Sequence, residues 1–130
     1  SFNELARDGQ DVARWNLLHP AEPPRVPFVT RQLQAHAGPV VASTDYVKNY
    51  ADQIRAHIPA GRSYTVLGAD GFGRSDFRSR LREHFEINRH YVAIAALKAL
   101  ADEGQLPMAK VSEAIAKYGS RTDKINPLHA

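Results

Sequence analysis

Residues 65–81 read TVLGADGFGRSDFRSRL: a short apolar run, glycines at 68, 71 and 73, then a stretch with helical spacing. A glycine-rich turn between a strand and a helix is where many α/β proteins cradle a phosphate, so its spacing decides what kind of fold this is. A dinucleotide fingerprint needs G-x-G-x-x-G, so that successive amides face a pyrophosphate at the helix start, and Gly68, Gly71 and Gly73 give G-x-x-G-x-G instead. A P-loop closes on Gly-Lys-Ser/Thr, whereas here Gly73 is followed by Arg74 and Ser75. Asp70 would also bring negative charge towards any phosphate. The pattern predicts a structural turn, with Gly68, Gly71 and Gly73 at positive φ and Ser75 capping a helix that carries Phe77, Leu81 and Phe85.

Working outward, SYTVLG at 63–68 is the strand that feeds this turn, and PVVAS at 39–43 is a second short β-branched run. Between them Val47, Tyr50, Ala51, Ile54 and Ile58 recur at the helical period, and Pro59 and Gly61 end the run. FVTRQLQAHAG, from Phe28, reads as a short helix stopped by Gly38. Residues 19–27, HPAEPPRVP, hold four prolines and predict a stiff extended connector. SFNE at the start is a capping box, Ser1 the cap and Glu4 reaching back. It opens a helix lined by Phe2, Leu5, Ala6, Val12, Ala13 and Leu17 and weakened in its middle by Gly9.

Downstream, Asn88 caps YVAIAALKALADEG, a helix apolar almost all round and therefore expected to be buried. Pro107 then starts a helix with Met108, Val111, Ile115 and Tyr118 spaced three and four apart. Strands alternating with helices indicate an α/β fold, helix-rich around a small sheet. Two strands do not make the sheet of a stable domain of this kind, so further strands are expected from elsewhere. A chain that opens on a helix cap is expected to be cut from something longer.

The composition is that of an ordinary globular domain: 130 residues, 43% hydrophobic and 24% charged. No apolar run approaches the roughly 18 residues of a membrane span, so no membrane is expected. Cysteine is absent, which excludes disulfides, a thiolate nucleophile and Cys-based zinc, and suits a cytoplasmic location. The formal charge is +3, with 17 basic and 14 acidic residues interspersed. Its densest basic stretch, Arg74 to Arg89, is interleaved with Asp76, Glu83 and Glu86, so it reads as a solvated helix face and not as a nucleic-acid interface. The histidines at 19, 36, 57, 84, 90 and 129 form no H-x-x-x-H or H-E-x-x-H pattern, and no G-x-S-x-G elbow is present. From the residues alone no catalytic, cofactor-binding or metal site is expected, and an independent module binding a small ligand or nucleic acid stays open as an alternative.

The segments SFNELARDGQDVARWNLLHP, GPVVASTDYVKNYADQIR and YTVLGADGFGRSDFRSRLREHFEINRHYVAIAALKALADEG, with the terminal KINPLHA, resemble the carboxy-terminal end of the large homodimeric bacterial pyruvate dehydrogenases, first components of the pyruvate dehydrogenase complex. LGADGFGRSD is similar to that family's LGTDGFGRSD, with Ala69 in place of threonine, and more distantly to a segment of transketolases. The resemblance implies that residues 1–130 make up most of a three-layer transketolase-type third domain that lacks its opening strands. It implies a parent enzyme that uses thiamine diphosphate and magnesium, decarboxylates pyruvate and reductively acetylates the lipoyl group of a dihydrolipoyl acyltransferase. The family's catalytic, cofactor and metal residues lie in regions without counterpart here, so neither cofactor is expected to bind this segment. Its expected partners are the rest of the parent chain, the dimer mate and the acyltransferase. Arg74, Asp76 and Arg78, beside the glycine turn, are the candidates for contact with them, together with the proline connector.

Overall fold

A computed structural model describes residues 1–68 and 89–118. Helix α1 spans Phe2–Leu18, and the Ser1 hydroxyl accepts from the Glu4 amide at 3.3 Å, as the cap sequence predicts. The reciprocal half of the capping box is replaced by an ion pair: the Glu4 carboxylate meets Arg7 at 3.2 Å, one turn further on. Gly9, expected as a weak point, is buried because the His57 ring lies against it. A Cβ there would sit 2.2 Å from His57 Nε2.

The proline connector is strapped onto α1. Asn16 accepts from the Arg25 amide at 2.8 Å and donates to the Arg25 carbonyl at 3.0 Å. The Arg25 guanidinium lies 3.8 Å from the Trp15 ring centroid, and the His19 ring stacks on Trp15 at 4.2 Å. Asp8 then accepts from the Phe28 amide at 2.7 Å, the first orphan N–H of α2, Phe28–Gln34. That helix ends at Gln34, before Gly38, whose φ of 101° serves the turn into the first strand.

Strands β1, Val40–Ser43, and β2, Tyr64–Leu67, pair in parallel, with Val40 opposite Tyr64 and Ala42 opposite Val66. Between them the predicted continuous helix is broken into α3, Lys48–Asp52, and a 3₁₀ turn, Arg55–His57. Side chains take the carbonyls that the next α-turn would use. Gln53 Nε2 donates to the Tyr50 carbonyl at 2.7 Å, and the Tyr64 hydroxyl donates to the Ala51 carbonyl at 2.7 Å.

Because side chains alternate along a strand, Val40, Ala42, Tyr64 and Val66 share one face. They pack there with Ala6, Val29 and Ile54, and with Phe2, Leu5, Leu33 and Ile58 around them. The opposite face carries α4, Arg89–Asp102, on which α5, Met108–Tyr118, packs in turn, completing three layers of an α/β architecture. Gly104, at φ 78°, closes α4 in a Schellman turn, Gln105 donating to the Leu100 carbonyl at 2.9 Å. Four expectations about burial need correction. Ala13 is exposed, Leu17 is 77% exposed and Met108 is 47% exposed. Along α4 only Ala99 is buried, although the helix is apolar almost all round.

Candidate functional site

In open parallel sheets, ligands meet the protein beyond the carboxyl ends of the strands. Here those ends are tied to each other: the Thr44 amide donates to the Leu67 carbonyl at 2.9 Å, and the Thr44 hydroxyl accepts from the Tyr46 amide at 3.1 Å. Gly68 follows β2 directly and is buried against the first residue of α3. A Cβ on Gly68 would lie 2.9 Å from the Lys48 backbone nitrogen. Gly68 is not among the positive-φ glycines, so close backbone approach, not a left-handed turn, calls for glycine at this position. Gly71, Gly73, Arg74, Ser75, Asp76 and Arg78 lie outside the described residues, as do Phe77, Leu81, His84, Phe85, Asn88 and His129.

Beside this end of the sheet an aromatic column runs outward from the core. Phe2 meets Tyr50 edge-on at 5.6 Å, and Tyr50 meets Tyr46 at 5.2 Å. Below it, Arg55 ties together Asp52, at 2.6 Å, and the Tyr64 carbonyl, at 2.8 Å, while its guanidinium lies 5.1 Å from the Tyr64 ring centroid. Burial pushes the Tyr64 phenol above its usual ionisation range; Arg55 pulls it back in part, and Asp52 adds a smaller rise.

On the α4 face a shallow groove of about 200 Å³ runs between β2 and α4, lined by Ser63, Thr65, Ala95, Lys98, Asp102 and Glu103. Its charges are already engaged: Lys98 reaches Asp102 at 2.7 Å, and the Ser63 hydroxyl lies 3.4 Å from Glu103. Among the described residues no group of three or more His, Asp or Glu side chains converges as a metal site would require. Nor is any helix among them long and apolar enough to cross a membrane.

Several polar side chains hold backbone that is distant in sequence. Arg62, which nothing in the sequence singled out, donates to the Gly38 carbonyl at 2.6 Å and the Leu33 carbonyl at 2.5 Å, locking the entry to β1. Thr30 donates to the His57 carbonyl at 2.5 Å. Each of these partners is more than twenty residues away in sequence, beyond the reach of local spacing rules.

Residues 1–88 match the family model described as the transketolase-like TK C-terminal domain. The chain belongs to the transketolase C-terminal domain family. Over all 130 residues it is 61% identical to a pyruvate dehydrogenase E1 component of Haemophilus influenzae. Over 128 residues it is 57% identical to that of Cupriavidus necator, and over 127 it is 54% identical to that of Escherichia coli K12. The matches cover 98–100% of this chain but 14% of each relative, about one seventh of its length. The homology is to the C-terminal region of the E1 component and includes α4 and α5, which lie beyond the family-model match.

Proposed function

We propose that this chain is the non-catalytic C-terminal part of a bacterial pyruvate dehydrogenase E1 component, acting in the cytoplasm to hold the enzyme's structure and buttress its dimer. The observation that carries this is identity of 54–61% with E1 components across 98–100% of the chain. In that setting the parent enzyme decarboxylates pyruvate and reductively acetylates the lipoyl group of the acyltransferase. Strands from the rest of the polypeptide extend the two-stranded sheet, which is too small to stand as a domain's sheet by itself.

The parent's thiamine diphosphate and magnesium do not fit the described residues. Magnesium needs near-octahedral oxygen ligands held together; no such group converges among the described residues, and Asp8 is engaged on an amide, Asp52 on Arg55 and Asp102 on Lys98. The side chains instead fasten segments: Asp8 and Asn16 hold the connector, Arg62 holds β1, and Arg55 holds β2. Thiamine diphosphate, when bound by the parent, supplies the electron sink for decarboxylation, and its binding groups belong to other parts of that enzyme. Arg74, Asp76 and Arg78 are proposed to face the dimer mate or the acyltransferase.

Calorimetric titration of the 130-residue chain with thiamine diphosphate and magnesium tests the assignment, with the full-length enzyme as the positive control. No heat of binding is expected from the chain; saturable binding would overturn the proposal. Arg74→Ala and Asp76→Ala in the full-length enzyme should weaken dimerisation or acyltransferase binding, and unchanged values in both would remove those residues from the contact surface.

A further inference from the structure

Each of the two strands has one edge that faces away from the other, and the two edges are treated differently. The Val40 amide donates to the Ser63 carbonyl and the Thr44 amide to the Leu67 carbonyl, each at 2.9 Å. Backbone groups alternate in direction along a strand. The N–H and C=O of Val41 and Ser43 on β1, and of Tyr64 and Val66 on β2, therefore point outward from the pair.

The β2 edge is plugged at its first outward residue. Arg55 Nη1 donates to the Tyr64 carbonyl at 2.8 Å, and Asp52 holds the guanidinium by accepting from Nε at 2.9 Å and Nη2 at 2.6 Å. A fixed charge laid on a strand edge is one way folded proteins keep that edge from pairing. With the Tyr64 carbonyl taken, Val66 alone stays open on this side, and one residue makes no ladder.

The β1 edge has no such guard. Among the described residues nothing bonds the outward backbone groups of Val41 or Ser43. Val40, Val41 and Ala42 are apolar in succession and all half-buried, the pattern of a strand with neighbours on both sides and not of a blunted edge. Pro39, the preceding residue on the outward side, has no N–H, so a ladder on this edge starts at Val41.

We infer that a further strand of the same polypeptide pairs with β1 through the outward amides and carbonyls of Val41 and Ser43, while the Arg55 guanidinium makes β2 the last strand of the sheet. This rests on the proposed function and assigns the added strands to one edge. The chemistry names the occupant, since backbone donors and acceptors repeating every second residue are matched by another strand. Some six sevenths of each E1 relative lie outside the matched region, so such a strand is at hand within one chain.

Amide hydrogen exchange in the unmodified full-length enzyme, resolved to single residues by mass spectrometry, tests the assignment. The Val41 and Ser43 amides should exchange at least about a hundredfold more slowly than the Val66 amide. Rapid exchange at Val41 and Ser43, or equal protection at Val66, would overturn the inference. The photo-crosslinker p-benzoylphenylalanine at position 43, whose side chain is exposed, then identifies the neighbour, with position 22 on the connector as the reference. Dimers assembled from light and ¹⁵N-labelled chains separate intrachain from interchain products by mass. A dominant intrachain cross-link from position 43 to residues outside 1–130 is expected. Cross-links only to the dimer mate, or only within 1–130, would overturn the inference while leaving the proposed function standing. An intact mass of 14.4 kDa for the native polypeptide, in place of one about seven times larger, would overturn both.

Discussion

The two faces of the small sheet are closed in different ways. On the α1 face, apolar side chains from three helical segments interlock with Tyr64 and Val66, and polar side chains clamp backbone that is distant in sequence. On the α4 face, a helix apolar almost all round buries only Ala99, and its ion pair, Lys98 with Asp102, joins side chains that are about half exposed. Such a surface pair contributes at most about 1 kcal/mol. One side of the molecule is therefore a finished core, while the other has more apolar surface than its described neighbours cover. Among the described residues the sheet is thus sealed on one face and half covered on the other.

The largest expected effect compares like with like across the sheet. Ile54→Ala, in the sealed core, should cost about 2–4 kcal/mol by urea unfolding. Ile94→Ala, half-buried on α4, should cost about 1 kcal/mol or less, since less apolar surface returns to water. Equal losses would mean that the two faces are closed alike.

Next comes Gly68→Ala, expected to cost about 1–3 kcal/mol, because the new Cβ meets Lys48 backbone that has nowhere to move. A neutral result would show that α3 is not seated against the end of β2. Gly9→Ala is the subtler companion. Alanine favours the helix by roughly 0.5–1 kcal/mol, but its Cβ displaces the His57 ring, so a net loss of about 1 kcal/mol is expected. His57→Ala in the same chain should remove that loss, and failure of the rescue in a double-mutant cycle would place the strain elsewhere.

Tyr64→Phe should cost about 1 kcal/mol near neutrality through the lost hydrogen bond to Ala51. It also changes the pH profile. With the folded-state pKa raised, the unfolded phenol ionises first, so the stability due to Tyr64 is full below about pH 10 and is lost as pH rises through the folded value. Thermal melts across that range should show the alkaline decline shallower in the phenylalanine variant.

The elements were legible where local chemistry decides them. The Ser1 cap, the β-branched runs and the Pro107 start all form as their residues predict. Sequence spacing misread the stretch from 47 to 58, because Tyr64 and Gln53 compete for helix carbonyls and only the folded chain brings Tyr64 there. The same holds for Gly9 and Gly68. Both look like flexible points in the sequence, and both are glycine because another segment passes close by. Of the candidate turn residues and the charged residues beside them only Gly68 falls within the described chain, and its role as a structural glycine comes from packing, not from φ.

Arg62 offers the sharpest separation of holding structure from doing chemistry, since its guanidinium bonds two backbone carbonyls on either side of the entry to β1. Arg62→Ala in the full-length enzyme, followed by thermal unfolding and by pyruvate turnover below the unfolding range, distinguishes the two. A scaffold role predicts a lower thermal midpoint with kcat for pyruvate unchanged. A loss of kcat at an unchanged midpoint would contradict it.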